Sequence, residues 1–252
     1  MKRITLGVVL LLALMALFVA CQKEEESEVT TITVATDATW PPMEFLNEDQ
    51  EIIGFDIDLM NAIAEAGGFA VEFQNTAWDG IFAGLANGDY DAVISSVTIT
   101  DERKRTMDFS TPYINAGQVL IIRQDASDDW QTLSDLQGES VGAQIGTTGA
   151  IEIENTAGVE LRTYDELGLA IEDLAQGRIA GVVADTPIAA DYVLQNENYS
   201  GTLEIVGEPF TEEYYGVAVK KDNNEVLDMV NAGLETVLED GTIEDLKDTW
   251  LR

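Results

Sequence analysis

The sequence predicts an α/β protein of two similar lobes, each a mainly parallel sheet flanked by helices. Three observations predict it. Short β-branched runs alternate with helix-period segments, the pattern of parallel strands joined by helical crossovers. The alternation restarts near residue 139 as an internal repeat. And 232 residues remain after an N-terminal leader, which suits two such lobes better than one.

TITVA (31–35) reads as the first strand, and IDLMNAIAEAGG as a helix that starts at Asp56 and is closed by Gly67 and Gly68. AVEFQ (70–74) is the second strand, WDGIFAGLANG a helix and YDAVIS (90–95) the third strand. In the second half SVGAQ (140–144), VELRT (159–163) and AGVVA (180–184) are strands, with helices in GTTGAIEIEN and DELGLAIEDLAQG between them. LANGDYDAVISS (85–96) aligns without a gap on LAQGRIAGVVAD (174–185), placing Ser96 opposite Asp185. TITVATD (31–37) matches ESVGAQIG (139–146) as the first strand of each half. Chance similarity of two Gly-capped βα units is the competing explanation.

The chain opens MKRITLGVVLLLALMALFVAC: two cations, an apolar run over 6–20, then Cys21. Residues 1–20 read as a secretory signal, because the apolar run is short for a membrane span. A retained signal-anchor helix is the alternative. Cys21 is the single cysteine, so no internal disulfide can form. Its place resembles a bacterial lipobox, in which the thiol is acylated; Val19 and Ala20 fit, while Phe18 stands where leucine is preferred. The acidic stretch over 21–30 then reads as a lipid-anchored tether. Loss of Lys2 and Arg3 with the signal takes 13 Lys+Arg to 11 against 47 Asp+Glu, a net charge of −36. Such a surface argues against nucleic acid as a partner. The chain has no histidine, which removes Ser-His-Asp catalysis, the commonest zinc ligand and the usual neutral-pH base. No metal or cofactor is expected.

Ligands of open parallel sheets sit beyond the carboxyl ends of the strands. Those ends fall at 37–40, 76–78 and 95–98 in the first half, and at 144–149 and 185–186 in the second. SSVTITDERKR (95–105) follows directly on one of them, with three adjacent cations. Thr100 reads as a helix N-cap with Asp101 and Glu102 in the first turn. In the bland reading all three cations face water. In the sharper one Arg103 holds an anionic ligand, and only Lys104 and Arg105 face water.

TDATWPPMEF, GFDIDLMNAIA, SSVTITDERKRTMDFSTPY, VGAQIGTTG and GVVADTPIA resemble the solute-binding proteins of family 3, the amino acid-binding proteins of polar amino acid ABC transporters. The likeness runs from about residue 31 to the C-terminus and is most specific over 95–113. It implies a two-lobe periplasmic-binding-protein fold, type II-like, with lobe 1 at 31–116 and 214–252 and lobe 2 at 117–213. Two crossover strands near 114–118 and 211–215, beside GQVLIIR and YYGVAVKK, join the lobes. It implies a monomeric binding module, not an enzyme, anchored by lipid on Cys21 at the periplasmic or outer face of a bacterial membrane. Its partners would be an amino acid and the permease subunits that receive it.

Carried over residue by residue, the resemblance gives Arg103 the α-carboxylate, which a planar fork grips bidentately. Ser96, Thr98 and the amide of Thr148 near a helix N-terminus complete that clamp, with Ser95 and Thr147 beside them. Asp185 takes the α-ammonium; its alternative is an N-cap ahead of Pro187. Trp40 and Trp78 flank the ligand side chain, or simply pack their lobe. Asp37 meets the distal end of the ligand, or is a turn residue, and Gln144 stands where relatives vary with ligand. Two indoles and an acid lean toward a basic, arginine-like amino acid, with glutamine second. Trp130 and Trp250 default to core packing. A sensory receptor subunit remains open as a function. So does a cyclohexadienyl dehydratase-like enzyme, which wants a carboxyl acid in the cleft and no ammonium clamp.

Overall fold

The first β-branched run forms β1 (Thr31–Thr36), which leads into an antiparallel meander of β2 (Thr39–Trp40), β3 (Glu44–Leu46) and β4 (Ile52–Ile53). The computed structural model describes residues 29–126 and 129–251. The signal, Cys21 and the tether as far as residue 28 lie outside the described residues. Helix α1 (Phe55–Gly67) returns to β5 (Ala70–Asn75), and α2 (Trp78–Asn87) to β6 (Ala92–Val93); β7 (Met107–Phe109) and β8 (Ile114–Asn115) follow. Then come β9 (Gln118–Arg123), β10 (Ser140–Gln144), α3 (Thr148–Asn155), β11 (Glu160–Tyr164), α4 (Leu167–Ala175), β12 (Gly181–Asp185), α5 (Thr186–Ala190) and β13 (Leu203–Val206). The chain returns through β14 (Tyr214–Tyr215) to β15 (Ala218–Lys220), α6 (Asn224–Glu239) and α7 (Thr242–Trp250).

The two large sheets repeat one plan: β5-β1-β6-β15-β7 and β11-β10-β12-β9-β13. In each, three strands joined by helices run parallel, and the fourth strand is antiparallel to both neighbours. The sheets are thus more mixed than the alternation suggested. The reason is connectivity: no crossover helix feeds β9 or β15, because each arrives from the other sheet. Those two passages meet as the antiparallel pair β8–β14, with Tyr214 opposite Asn115 and Tyr215 opposite Ile114.

Register makes the internal repeat explicit. Val34 pairs with Ala92, and Val141 pairs with Gly181. The equivalent positions one turn of chain further on are then Asp37 and Gln144, and Ser96 and Asp185. All four lie at or just beyond the carboxyl ends of the strands.

Local signals explain most boundaries. Helices α1 and α2 end where Gly68 and Gly88 adopt left-handed φ, each N–H capping the last carbonyls. Ile32, Val34, Phe55, Leu59 and Ile63 are buried with Val230 and Leu234 in one apolar cluster, and Leu120, Val141, Ile153 and Val183 form another around the second sheet. Trp250 packs at the edge of the first cluster, donating Nε1–H to Asp58 at 2.8 Å, and Trp130 packs against the second. Two expectations are corrected. Only Ala92–Val93 of YDAVIS pairs as strand, since residues 90–91 belong to the preceding turn. The TITDERKR segment is a single 3-10 turn, Arg103–Arg105, not a helix; Thr100 Oγ1 still caps it by accepting from the Arg103 amide at 3.1 Å.

Candidate ligand-binding site

All eleven residues singled out in the sequence, and Glu44 beside them, line one cavity between the carboxyl ends of the two sheets. The cavity volume is only about 20 Å³. The site is a narrow slot, suited to a thin, extended or planar molecule.

At one end, Arg103 projects from the 3-10 turn that follows the third strand. Its guanidinium donates to the Thr98 carbonyl at 2.9 Å and, across the slot, to the Gly146 carbonyl at 3.3 Å. The guanidinium carbon lies 5.3 Å from the Trp78 ring centroid and 5.0 Å from that of Phe82. Trp78 itself is buried and meets Phe82 edge-on at 4.9 Å. Trp78 therefore packs its lobe and also lines the slot. It also seats Arg103, which had not been foreseen. Burial lowers the Arg103 guanidinium from its ordinary value, while the charges of Asp185 and Glu213 oppose that shift. Arg103 makes no ion pair among the described residues, whereas Lys104 pairs loosely with Asp101 at the surface and Arg105 is exposed.

The facing helix supplies its N-terminus. Thr147 is the N-cap of α3: its hydroxyl accepts from the Ala150 amide at 3.3 Å and donates to the Gln144 carbonyl at 2.8 Å. Thr148 opens the helix, so its amide is one of the unpaired donors that favour an anion.

Asp185 stands at the N-cap position of α5, ahead of Pro187, but makes no side-chain cap bond. Its Oδ1 accepts from Gln118 Nε2 at 2.8 Å, and the carboxyl is buried. Burial, then the neighbouring Glu213 charge, pushes its pKa up to about 7. A cation reaching it would reverse that shift.

The other end of the slot is acidic. Asp37 Oδ2 accepts from Gln144 Nε2 at 3.0 Å, so the two repeat-equivalent positions meet across the gap. Asp37 Oδ1 accepts from Thr39 Oγ1 at 2.9 Å, and burial raises its pKa. Trp40 is buried against the core while lining the slot, and its Nε1 finds no acceptor in the protein. Glu44, on β3, is fully buried; Ser95 Oγ donates to it at 3.0 Å and Ser96 Oγ at 3.4 Å. Behind it Asp56, in the first turn of α1, accepts from the Ser96 amide at 2.7 Å and the Tyr113 hydroxyl at 2.9 Å. Ser96 holds a left-handed φ of 50°, a strained value for a serine that this carboxylate anchors. Glu44 and Asp56 are both fully buried, and no cation is paired to either among the described residues. Burial and then Asp56 raise Glu44 well above the carboxylate range, and burial lifts Asp56 to about 7.

Glu44, Asp56, Gln118 and Glu213 were not singled out in the sequence. Glu44 hid inside the apolar run after two prolines, and its position depends on a meander of strands two or three residues long. A buried-acid signal was nevertheless present in WPPMEF. No cluster among the described residues has the donors for a metal ion.

The two-sheet fold and its cleft define a solute-binding protein, and comparison with known sequences fixes which kind. Residues 32–252 match the model of the bacterial extracellular solute-binding proteins, family 3, and the chain belongs to that family. It is 37% identical over 220 residues to the "Probable histidine-binding protein" of Neisseria gonorrhoeae, covering 84% of this chain and 80% of that one. It is 34% identical over 229 residues to the "ABC transporter arginine-binding protein 1" of Escherichia coli K12, covering 89% and 92%. Among solved structures, "An ancestral arginine-binding protein bound to arginine" superposes with a TM-score of 0.83 at 41% identity, covering 88% of this chain and 98% of that one. No helix among the described residues is long and apolar enough to cross a membrane.

Proposed function

We propose that the protein captures a basic, arginine-like L-amino acid in the slot and hands it to the permease of an ABC transporter. One observation carries the reading: a slot with a cation at one end and buried acids along the rest. Arg103 and the α3 N-terminus take the α-carboxylate, Asp185 the α-ammonium, and Asp37 with Glu44 the distal cation. Trp40 and Trp78 shape the walls. Glutamine is the second candidate, because Gln144 can donate to or accept from an uncharged amide and Asp37 can accept from one. Relatives named for arginine and histidine support a basic ligand, and the name of one supports delivery to an ABC transporter.

The same reading includes lobe 1 at 31–116 and 214–252, lobe 2 at 117–213, a monomer, and lipid attachment at Cys21 on the outer side of a bacterial membrane. A thermal-shift screen of residues 24–252 against the twenty common L-amino acids tests it. A ligand at 1,000 times its Kd adds about 4 kcal/mol of stability, so arginine should stand well above the rest. No shift with any of them would sink the capture reading.

A catalytic reading has one observation in its favour, a buried Glu44 carboxyl beside the slot whose pKa burial raises. Asp185 opposes it, because a second buried carboxylate would repel a dicarboxylate such as prephenate. Incubation with prephenate should give no loss beyond that in buffer; a protein-dependent loss would restore the enzyme.

A further inference from the structure

We propose that Glu213, which does not line the slot, is the positioning residue that ties the two halves of the site together when the slot is closed. It rests on the two-sided capture proposed above. Glu213 sits on the returning passage between the sheets, just before β14, and its carbonyl accepts from the Ala116 amide of the other passage at 2.8 Å. The residue is 9% exposed. Oε2 accepts from Thr98 Oγ1 at 2.9 Å, on the first-sheet side, and from Thr148 Oγ1 at 2.7 Å, at the first residue of α3 on the second-sheet side. Oε1 accepts from Thr211 Oγ1 at 3.0 Å on its own segment. No cation is paired with Glu213 among the described residues.

One carboxylate oxygen therefore collects a hydroxyl from each side of the slot, and its own strand belongs to the connection about which they would move. The tie continues inward. Thr148 Oγ1 accepts from Gln118 Nε2 at 3.1 Å, and the same amide donates to Asp185 Oδ1. Glu213 thus fixes Thr98 and Thr148 directly, and Asp185 through Thr148 and Gln118, without touching the ligand. When α3 swings away from Thr98, Oε2 can follow only one of the two hydroxyls. Hydrogen bonds to a charged acceptor are roughly twice as strong as neutral ones, so losing one disfavours opening. The consequence falls on release: Glu213 lengthens the residence of a bound amino acid and leaves its encounter with the open slot unchanged.

The test uses the mature chain with L-arginine and L-glutamine as probes and the variants Glu213→Gln, Glu213→Ala and Thr211→Val. For whichever probe binds, stopped-flow kinetics should show dissociation at least tenfold faster for both Glu213 variants, with association within about twofold. Thr211→Val removes the donor to Oε1 and the acceptor of the Gln118 amide but leaves both Oε2 bonds in place, so it should speed dissociation far less than either Glu213 variant. A general loss of integrity would lower the melting temperature without this split between the two rates. Unchanged dissociation in Glu213→Ala overturns the proposal, as does an equal change in both rates. If neither probe binds, the choice of arginine or glutamine as ligand fails on its own, and thermal unfolding of Glu213→Gln, Thr148→Val and the double variant still decides the tie. Losses that fail to add support it, and losses that add independently refute it.

Discussion

At Arg103 two N–H groups already hold the Thr98 and Gly146 carbonyls and the ring faces of Trp78 and Phe82 support the plane, leaving further donors for a carboxylate. A lysine would bring charge without the fork or the flat stack. Leaving a buried carboxylate without its partner costs roughly 3 to 5 kcal/mol. Arg103→Ala should therefore weaken amino acid binding by two to three decades, measured by calorimetry, and Arg103→Lys should recover little of it. Lys104→Ala and Arg105→Ala should bind normally; equal losses at all three would reduce the effect to general charge. The buried acids give a second expectation. Asp56 and Asp185 titrate at about 7 in the folded protein, raised above their ordinary value of 3.8. Between those limits the folded state holds protons that the unfolded chain has released. Their stabilising contribution is full below about pH 4 and is lost as pH rises through about 7. Ligand affinity should move the opposite way, because an ammonium requires an ionised Asp185: it should rise toward pH 7, by up to about tenfold per unit, then level off. Calorimetry and melting at pH 5 to 8 read both trends. Affinity that stays flat across this range would remove Asp185 from the ammonium clamp, and Asp185→Asn should flatten it.

Elements whose boundaries rest on local chemistry were legible in the sequence. Gly68 and Gly88 end their helices as their places in the pattern suggested, and Thr147 caps α3. Elements that depend on distant partners were not. β2, β3 and β4 are too short to show a period, so Glu44 on β3 went unseen although its neighbour Trp40 did not. Gln118 and Glu213 gain their roles only because two passages of chain cross between the sheets. Arg103, Asp185 and the serine-threonine loop were found because strand ends and the family motif pointed to the same positions. Helix pairing also rests on features invisible to periodicity. Gly233 of α6 lies so close to α1 that a Cβ there would run into the Ile63 carbonyl. Gly233→Ala should destabilise the fold by about 1 to 3 kcal/mol through overpacking, lowering the melting temperature. An unchanged melting temperature would mean that α6 is free to shift away from α1.

Across the whole molecule, the slot is built from both sheets: Arg103, Asp37 and Glu44 come with the first, and Asp185, Gln144 and Thr148 with the second. Neither side alone offers both charge clamps, so a ligand that needs both favours the closed arrangement by its differential contacts. Small-angle scattering should show a smaller radius of gyration with bound amino acid. The net charge of −34 adds a long-range field that draws cations toward the protein at low salt. The central claim, a slot matched to a basic amino acid, is tested most directly by calorimetric titration of residues 24–252 with L-arginine and L-glutamine, repeated on Asp37→Asn. Arginine should bind the unmodified protein more tightly and lose at least a decade of affinity in Asp37→Asn, with the loss shrinking in high salt. Tight glutamine binding with no arginine binding would contradict the account.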